Sequence, residues 1–117
     1  MKKILVIEDD PHVQEMYKKL LENIFPEASI VQCLTMNETK RAIQDTTYDL
    51  YLLDGKIIGG HTSVIIHSLP PEKVVVISAD DDYLHEVEKK GIKTFTKPFG
   101  RPKFTENKGI FITIMGE

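Results

Sequence analysis

Three runs of four consecutive apolar residues, Ile4 to Ile7, Leu50 to Leu53 and Val74 to Ile77, limit what this chain can fold into. Runs this short are marginal as helices, and their lack of polar alternation suits strands covered on both faces. Each stops abruptly at polar residues: Glu8-Asp9-Asp10, Asp54-Gly55 and Ser78. The central run matters most, because it delivers one carboxylate, Asp54, to an edge of the core, where Gly55 lets the backbone turn. A lone acid at a strand end is ordinarily a solvated loop starter, so its neighbours decide its meaning.

The segments between the runs read as helices. Pro11 stands at a first helical position behind Asp10 as cap, and Val13, Met16, Tyr17, Leu20, Leu21 and Ile24 recur at helical spacing until Phe25-Pro26. Ser29 to Leu34 is a second, less apolar strand. Thr35 and Glu38 make a capping box for a helix with a narrow inner stripe of Met36, Thr39 and Ile43. Gly55 to Gly60 is a glycine-rich turn, after which Ser63 to Leu69 predicts a short helix stopped by Pro70-Pro71. Asp80, Asp81 and Asp82 open a further helix that closes on Lys89-Lys90-Gly91, with acids at its start and bases and a glycine at its end. Lys93 to Thr96 is a fifth strand, running into Lys97-Pro98-Phe99.

Strict alternation of strand and helix implies right-handed crossovers and a parallel sheet with helices on both faces, a doubly wound α/β sandwich. At 117 residues the chain has room for one core, so residues 1–117 are read as a single domain. Function in such sheets gathers outside the carboxyl ends of the strands. Those ends carry Glu8, Asp9, Asp54, Ser78 and Lys97. Carboxylates that meet at one edge raise one another's pKa unless a cation lies among them. An all-oxygen site with few protein carboxylates suits Mg²⁺, which shares its shell with waters and phosphate oxygens. Lys97 then supplies a point charge and Ser78 a hydroxyl donor for a phosphoryl group, which leaves Asp54 as nucleophile.

Charge and composition exclude several classes. Fifteen Lys and Arg against eighteen Asp and Glu give a net charge of −3, which disfavours direct nucleic-acid binding. Cys33, the only cysteine, rules out an internal disulfide and a Cys-based zinc site, reads as a small core residue, and fits a reducing cytoplasm. No apolar run approaches the roughly 20 residues that span a bilayer, and Met1-Lys2-Lys3 leads into the first strand without a cleavage site, so neither membrane insertion nor export is expected. His12, His61, His67 and His85 lack ligand spacing and read as polar surface. Asp80 to Asp82 read as a solvated helix start. The acidic turn after the first strand is unsuited to cradling a flavin phosphate.

Taken together, Ile4 to Asp10, Asp54 at the end of the third strand, Ser78-Ala79 and Lys97-Pro98-Phe99 resemble the receiver domain of two-component response regulators over Lys3 to Phe99. The resemblance implies a flavodoxin-like five-stranded sheet in the order 2-1-3-4-5. It implies phosphotransfer from a sensor histidine kinase to Asp54, with Mg²⁺ held by Asp9, Asp54 and the carbonyl of Lys56 while Glu8 acts through water. Ser78 closes on the phosphoryl group, Lys97 pairs with it, and the Lys97-Pro98 bond is cis. Output follows from switched binding to a downstream protein target, by a monomer or weak dimer whose own chemistry is confined to gaining and losing the phosphoryl group.

The chain departs from the pattern it resembles. The loop after Asp54 lacks the usual proline, and the interval from Asp54 to Ser78 is short, so the third helix is expected to be stunted. Thr94 falls where the usual switch aromatic stands, whereas Phe95 has the opposite side-chain parity and reads as core. Over residues 100–117 the resemblance implies a fifth helix with Phe104, Phe111, Ile112 and Met115 inward, while Gly109 and Ile110 to Ile114 locally prefer a strand or a frayed end. Lys56 and Asp80, each two residues beyond an active residue, are expected to flank the site and tune the lifetime of a phosphoryl group. Two other readings stay open: a phosphorylation-independent adaptor with the same fold, and a small Mg²⁺-dependent phosphohydrolase with an aspartyl nucleophile. For the second, Glu8-Asp9-Asp10 has the wrong first residue for an Asp-x-Asp motif.

Overall fold

The structure, a computed structural model, describes residues 1–116; Glu117, the last residue of the expected tail, lies outside the described residues. Five parallel strands form the central sheet: β1 (Lys3–Ile7), β2 (Ser29–Cys33), β3 (Leu50–Asp54), β6 (Val74–Ser78) and β7 (Lys93–Thr96). Their spatial order is β2-β1-β3-β6-β7, which is 2-1-3-4-5 when only these five are counted. The remaining two strands, β4 (Lys56–Ile57) and β5 (Gly60–His61), pair antiparallel as a miniature hairpin directly after Asp54.

Alternation along the buried strands divides the core into two layers. Leu5, Ile7, Tyr51, Leu53, Val74 and Val76 face the helices α2 (Met36–Asp45) and α3 (Asp81–Glu88). Ile4, Val6, Leu50, Leu52, Val75 and Ile77 face α1 (Pro11–Ile24), α4 (Arg101–Glu106) and α5 (Lys108–Met115). The anticipated caps form. Asp10 accepts from the amides of His12 and Val13 ahead of Pro11, Thr35 and Glu38 close a reciprocal capping box, and Asp80 accepts from the Tyr83 amide.

Two sequence expectations need correction or completion. Ser63 to Leu69 is not an α-helix: the segment makes two 3-10 turns, Thr62–Val64 and Ile66–Ser68, and a third follows at Pro71–Lys73. With Thr62 tied back to Gly55 and Pro70-Pro71 ahead, the segment is too short to propagate an α-helix, and tight single turns still bury Ile65, Ile66 and Leu69 against the sheet. The tail is helical, against its local strand preference, but it breaks at Asn107 into α4 and α5. Burial decides: Phe104, Phe111 and Met115 lie against the α1 face, Ile112 packs more peripherally, and Phe104 stacks on Phe111 with ring centroids 4.7 Å apart. Among the described residues, no helix is long and apolar enough to cross a membrane.

Candidate functional site

Register brings the strand ends together. Ile7 pairs with Leu53, Asp54 with Ile77 and Ser78 with Thr96, so Glu8, Asp54, Ser78 and Lys97 emerge side by side from four adjacent strands. Two peptide hydrogen bonds extend the alignment past the strands: Glu8 donates its amide to the Cys33 carbonyl at 3.1 Å, and Lys97 donates its amide to the Ser78 carbonyl at 3.0 Å.

Carboxylate oxygens of Glu8, Asp9 and Asp54 all lie within 4.8 Å of one another. Lys97 faces them, with Nζ at 3.0 Å from Asp54 Oδ2 and 3.5 Å from Glu8 Oε1. Three acids against one ammonium leave negative charge uncompensated, and the hard, all-oxygen donor set fits a divalent cation of the Mg²⁺ type. The electrostatic strain shows in Glu8, whose side chain is 2% exposed. Burial first, and then the adjoining Asp54 carboxylate, push its carboxyl up to about 7, although Lys97 and the Asp10 amide pull the other way. Burial alone would lower the Lys97 ammonium, but its hydrogen bond and attraction to Asp54, reinforced by Glu8, hold it above the ordinary lysine value.

Ser78 is buried, and its Oγ accepts the Asp80 amide at 3.1 Å. A Cβ built on Gly55 would fall 3.1 Å from that same oxygen and 3.2 Å from the Tyr83 ring, so any larger residue there would press on both. The Lys97-Pro98 bond is cis, as the resemblance implies. An apolar cleft of about 490 Å³ opens beside Glu8 and Lys97, walled by Val13, Met16, Tyr17 and Phe99. A larger depression of about 940 Å³, around Lys2, Pro26, Ala28 and Asp49, lies at the amino ends of the strands, remote from the acids.

The structure brings Glu8, Asp9, Asp54 and Lys97 into one cluster and places Ser78 next to it. Lys56 extends from the hairpin with an exposed side chain, and Asp80 uses its carboxylate as the α3 cap; the two make no ion pair among the described residues. Phe95 packs toward the α5 side, stacked on Phe99 at 4.4 Å, and Thr94 donates its hydroxyl to Glu88 at 2.7 Å on the opposite side. Cys33 is buried. His61 does more than decorate the surface: its Nδ1 accepts the Ser63 amide at 3.0 Å and its ring meets Tyr83 edge-on at 4.5 Å.

Sequence reasoning missed Gln14. Its side chain is buried, and Nε2 is shared among the carbonyls of Val6 (2.9 Å), Glu8 (3.1 Å) and Cys33 (2.9 Å), pinning the end of β1 to that of β2. The available signal was a polar residue at helical spacing to Tyr17 and Leu21, inside the inner stripe of α1.

No family model matches the chain, and no curated protein sequence matches it. Solved structures do match. The signal receiver domain of a DNA-binding response regulator from Colwellia psychrerythraea 34H superposes over the full length of both chains with a TM-score of 0.81 at 25% identity. The response regulator TrrA of Thermotoga maritima, solved in complex with Mg²⁺ and BeF, aligns over 97% of this chain and 99% of its own, with a TM-score of 0.77 at 22% identity. The receiver domain of a sensor histidine kinase from Pseudomonas aeruginosa PAO1, with a magnesium ion coordinated in its active-site cleft, aligns over 99% of this chain and 98% of its own, with a TM-score of 0.75 at 18% identity.

Proposed function

We propose, from the premise that the chain has the fold of response regulator receiver domains, that it is a phosphoacceptor switch carrying its phosphoryl group on Asp54. The observation that carries this reading is the cluster itself: three carboxylates within 4.8 Å, with the Lys97 ammonium 3.0 Å from the central one. In the transfer, a carboxylate oxygen of ionised Asp54 forms the new bond to phosphorus. The bond from phosphorus to the donor breaks, and its electron pair leaves with the donor, an imidazole nitrogen of a histidine kinase or the acetate of acetyl phosphate. No proton needs to leave Asp54. Lys97 then exchanges its carboxylate partner for a phosphoryl oxygen, and the Ser78 hydroxyl donates to another.

Asp9, Asp54 and the Lys56 carbonyl would hold Mg²⁺, with Glu8 acting through water. When bound, the ion would neutralise the charge that accumulates between the acids and an incoming phosphoryl group. The solved likenesses with Mg²⁺, one of them also with BeF, support that choice of ion. Upstream the reading implies a sensor histidine kinase, and downstream a protein target whose binding changes with phosphorylation. The protein is proposed to act in the cytoplasm as a monomer or weak dimer, with no turnover of external substrates.

Mixing the protein with acetyl phosphate, in Mg²⁺ or in chelator, and following intact mass tests this reading. One phosphoryl adduct should appear only with Mg²⁺ and should vanish in Asp54→Asn and Asp9→Ala. An adduct that persists in Asp54→Asn, or forms equally in chelator, refutes it. Absence of any adduct in a folded protein that binds no Mg²⁺ would favour the adaptor reading, and rapid turnover of generic phosphate esters would favour the hydrolase.

A further inference from the structure

The peptide that joins Asp54 to Gly55 is held at both ends. Its carbonyl oxygen accepts the Thr62 hydroxyl at 2.9 Å, and its N–H donates to Asp54 Oδ1 at 2.7 Å. A trans peptide is planar, with these two groups pointing in opposite directions, so fixing the carbonyl end fixes the direction from which the N–H grips the carboxylate. The same Thr62 hydroxyl also reaches the Gly55 carbonyl at 3.1 Å, and the Thr62 amide donates to that carbonyl at 2.7 Å.

Thr62 is fully enclosed, and its Oγ1 has one further neighbour, the Tyr83 hydroxyl at 2.8 Å. Carbonyl oxygens only accept. The Thr62 hydroxyl can therefore only donate to the Asp54 and Gly55 carbonyls, while in its contact with Tyr83 either hydroxyl can be the donor. A continuous chain of hydrogen bonds thus links the Tyr83 hydroxyl to Thr62, Thr62 to the Asp54 carbonyl and, across the peptide, the Gly55 amide to the Asp54 carboxylate. Tyr83 is itself fixed, its ring edge-on to His61 and its amide bound by Asp80, whose own amide donates to Ser78 Oγ.

We propose that Thr62 and Tyr83 are positioning residues for Asp54: by holding the Asp54–Gly55 peptide plane they set the orientation in which the carboxylate meets its phosphoryl donor. The inference rests on the reading of Asp54 as phosphoacceptor. It assigns a role to two hydroxyls that touch neither metal nor phosphate and that lie on the 3-10 segment and on α3.

The test is the rate of Asp54 phosphorylation by acetyl phosphate across donor concentrations, in Thr62→Val, Thr62→Ser and Tyr83→Phe beside the wild type. Mg²⁺ affinity by calorimetry, thermal stability and amide exchange at Gly55 are recorded for each. Thr62→Val should lower the limiting rate on the order of tenfold, with the half-saturating donor concentration and Mg²⁺ affinity within about twofold of wild type, and should speed exchange at Gly55. Thr62→Ser, which keeps the hydroxyl, should restore the rate to within about twofold, and Tyr83→Phe should slow it about threefold. Should Thr62→Val fail to fold, Tyr83→Phe and Thr62→Ser decide the matter on the same criteria. A wild type that takes no phosphoryl group overturns the reading of Asp54, and this inference with it. A labelled wild type overturns this inference alone if Thr62→Val or Tyr83→Phe reacts at the wild-type rate, or if Thr62→Ser fails to rescue.

Discussion

The Lys97 ammonium lies 3.0 Å from Asp54 Oδ2, reaching from the end of the edge strand β7 across the intervening β6 to the end of β3. The contact ties together strands that share no ladder hydrogen bonds, and with its second partner Glu8 it spans four adjacent strands. Lys97 is thus the positive centre of the site as well as the candidate partner of a phosphoryl group.

Replacing that centre should therefore destabilise the unmodified protein. Lys97→Met leaves Glu8 and Asp54 facing each other without a cation, at a cost of about 1–2 kcal/mol in chelator, less than for a fully buried pair because the lysine is partly solvated. Saturating Mg²⁺ should recover most of the loss. Urea titration with and without Mg²⁺ measures both, and a variant as stable as wild type in chelator would contradict the assignment.

Glu8 predicts a pH dependence of defined sign. Its carboxyl rises from 4.5 to about 7 on folding, so the folded state holds the proton more tightly than the unfolded state does. Stability from this group is fully present below the unfolded value and is lost as pH rises through about 7. In chelator, the stability of Glu8→Gln relative to wild type should therefore grow by about 1–3 kcal/mol between about pH 5 and about pH 8. A constant difference between the two proteins over that range would contradict the cause given.

The tail predicts a large packing effect. Phe104 and Phe111 are fully buried and stacked, and Phe99 adjoins Phe104 at 5.8 Å. Phe111→Ala should cost about 3–5 kcal/mol, and amides near Phe111 and Met115 should exchange slowly. Exchange there as fast as at a frayed end would restore the strand-or-frayed-end expectation that local propensity favours.

Cys33 should be inert in the folded protein. Burial, with a smaller contribution from the Glu38 charge, pushes its thiol up to about 11. At neutral pH the thiolate is then scarce as well as shielded, so alkylation by iodoacetamide should follow global unfolding in urea. Fast labelling of the native protein would show that the β2 end opens locally.

Legibility in the sequence followed the range of the interactions. Asp10, Thr35 with Glu38, and Asp80 announce helix starts because a cap is satisfied within a few residues of itself. Glu8, Asp54 and Ser78 were legible because uninterrupted apolar runs mark buried parallel strands, whereas Lys97 follows the short, partly exposed strand Lys93–Thr96 and was legible from the strand-helix alternation and from Lys97-Pro98-Phe99; a parallel sheet gathers all four at one edge. The roles of Gln14, Thr62 and Tyr83 were not legible, since Gln14 and Thr62 act on backbone groups, and Tyr83 on a hydroxyl, supplied by other elements, and neither periodicity nor composition records such partners. The segment from Ser63 to Leu69 misled, and the local strand preference of the tail gave way to the helix that the resemblance implies. The first lies between a glycine-rich turn and Pro70-Pro71 with no length in which to propagate, and the second has β-branched residues whose aromatic and methionine neighbours bury better as helix.

The hairpin after Asp54 is stitched to the start of α2. The Ile58 carbonyl accepts the Met36 amide at 2.8 Å, Ile58 bridges Thr35, and a Cβ on Gly60 would press on the Met36 side chain at 3.3 Å. Residues 55–61 are therefore not an interchangeable loop but one half of a joint whose other half is the start of α2. A chimera that imports the corresponding loop from another protein of this fold must bring the matching Thr35-Met36 corner with it. Otherwise it leaves an amide and a carbonyl without partners on either side of the graft.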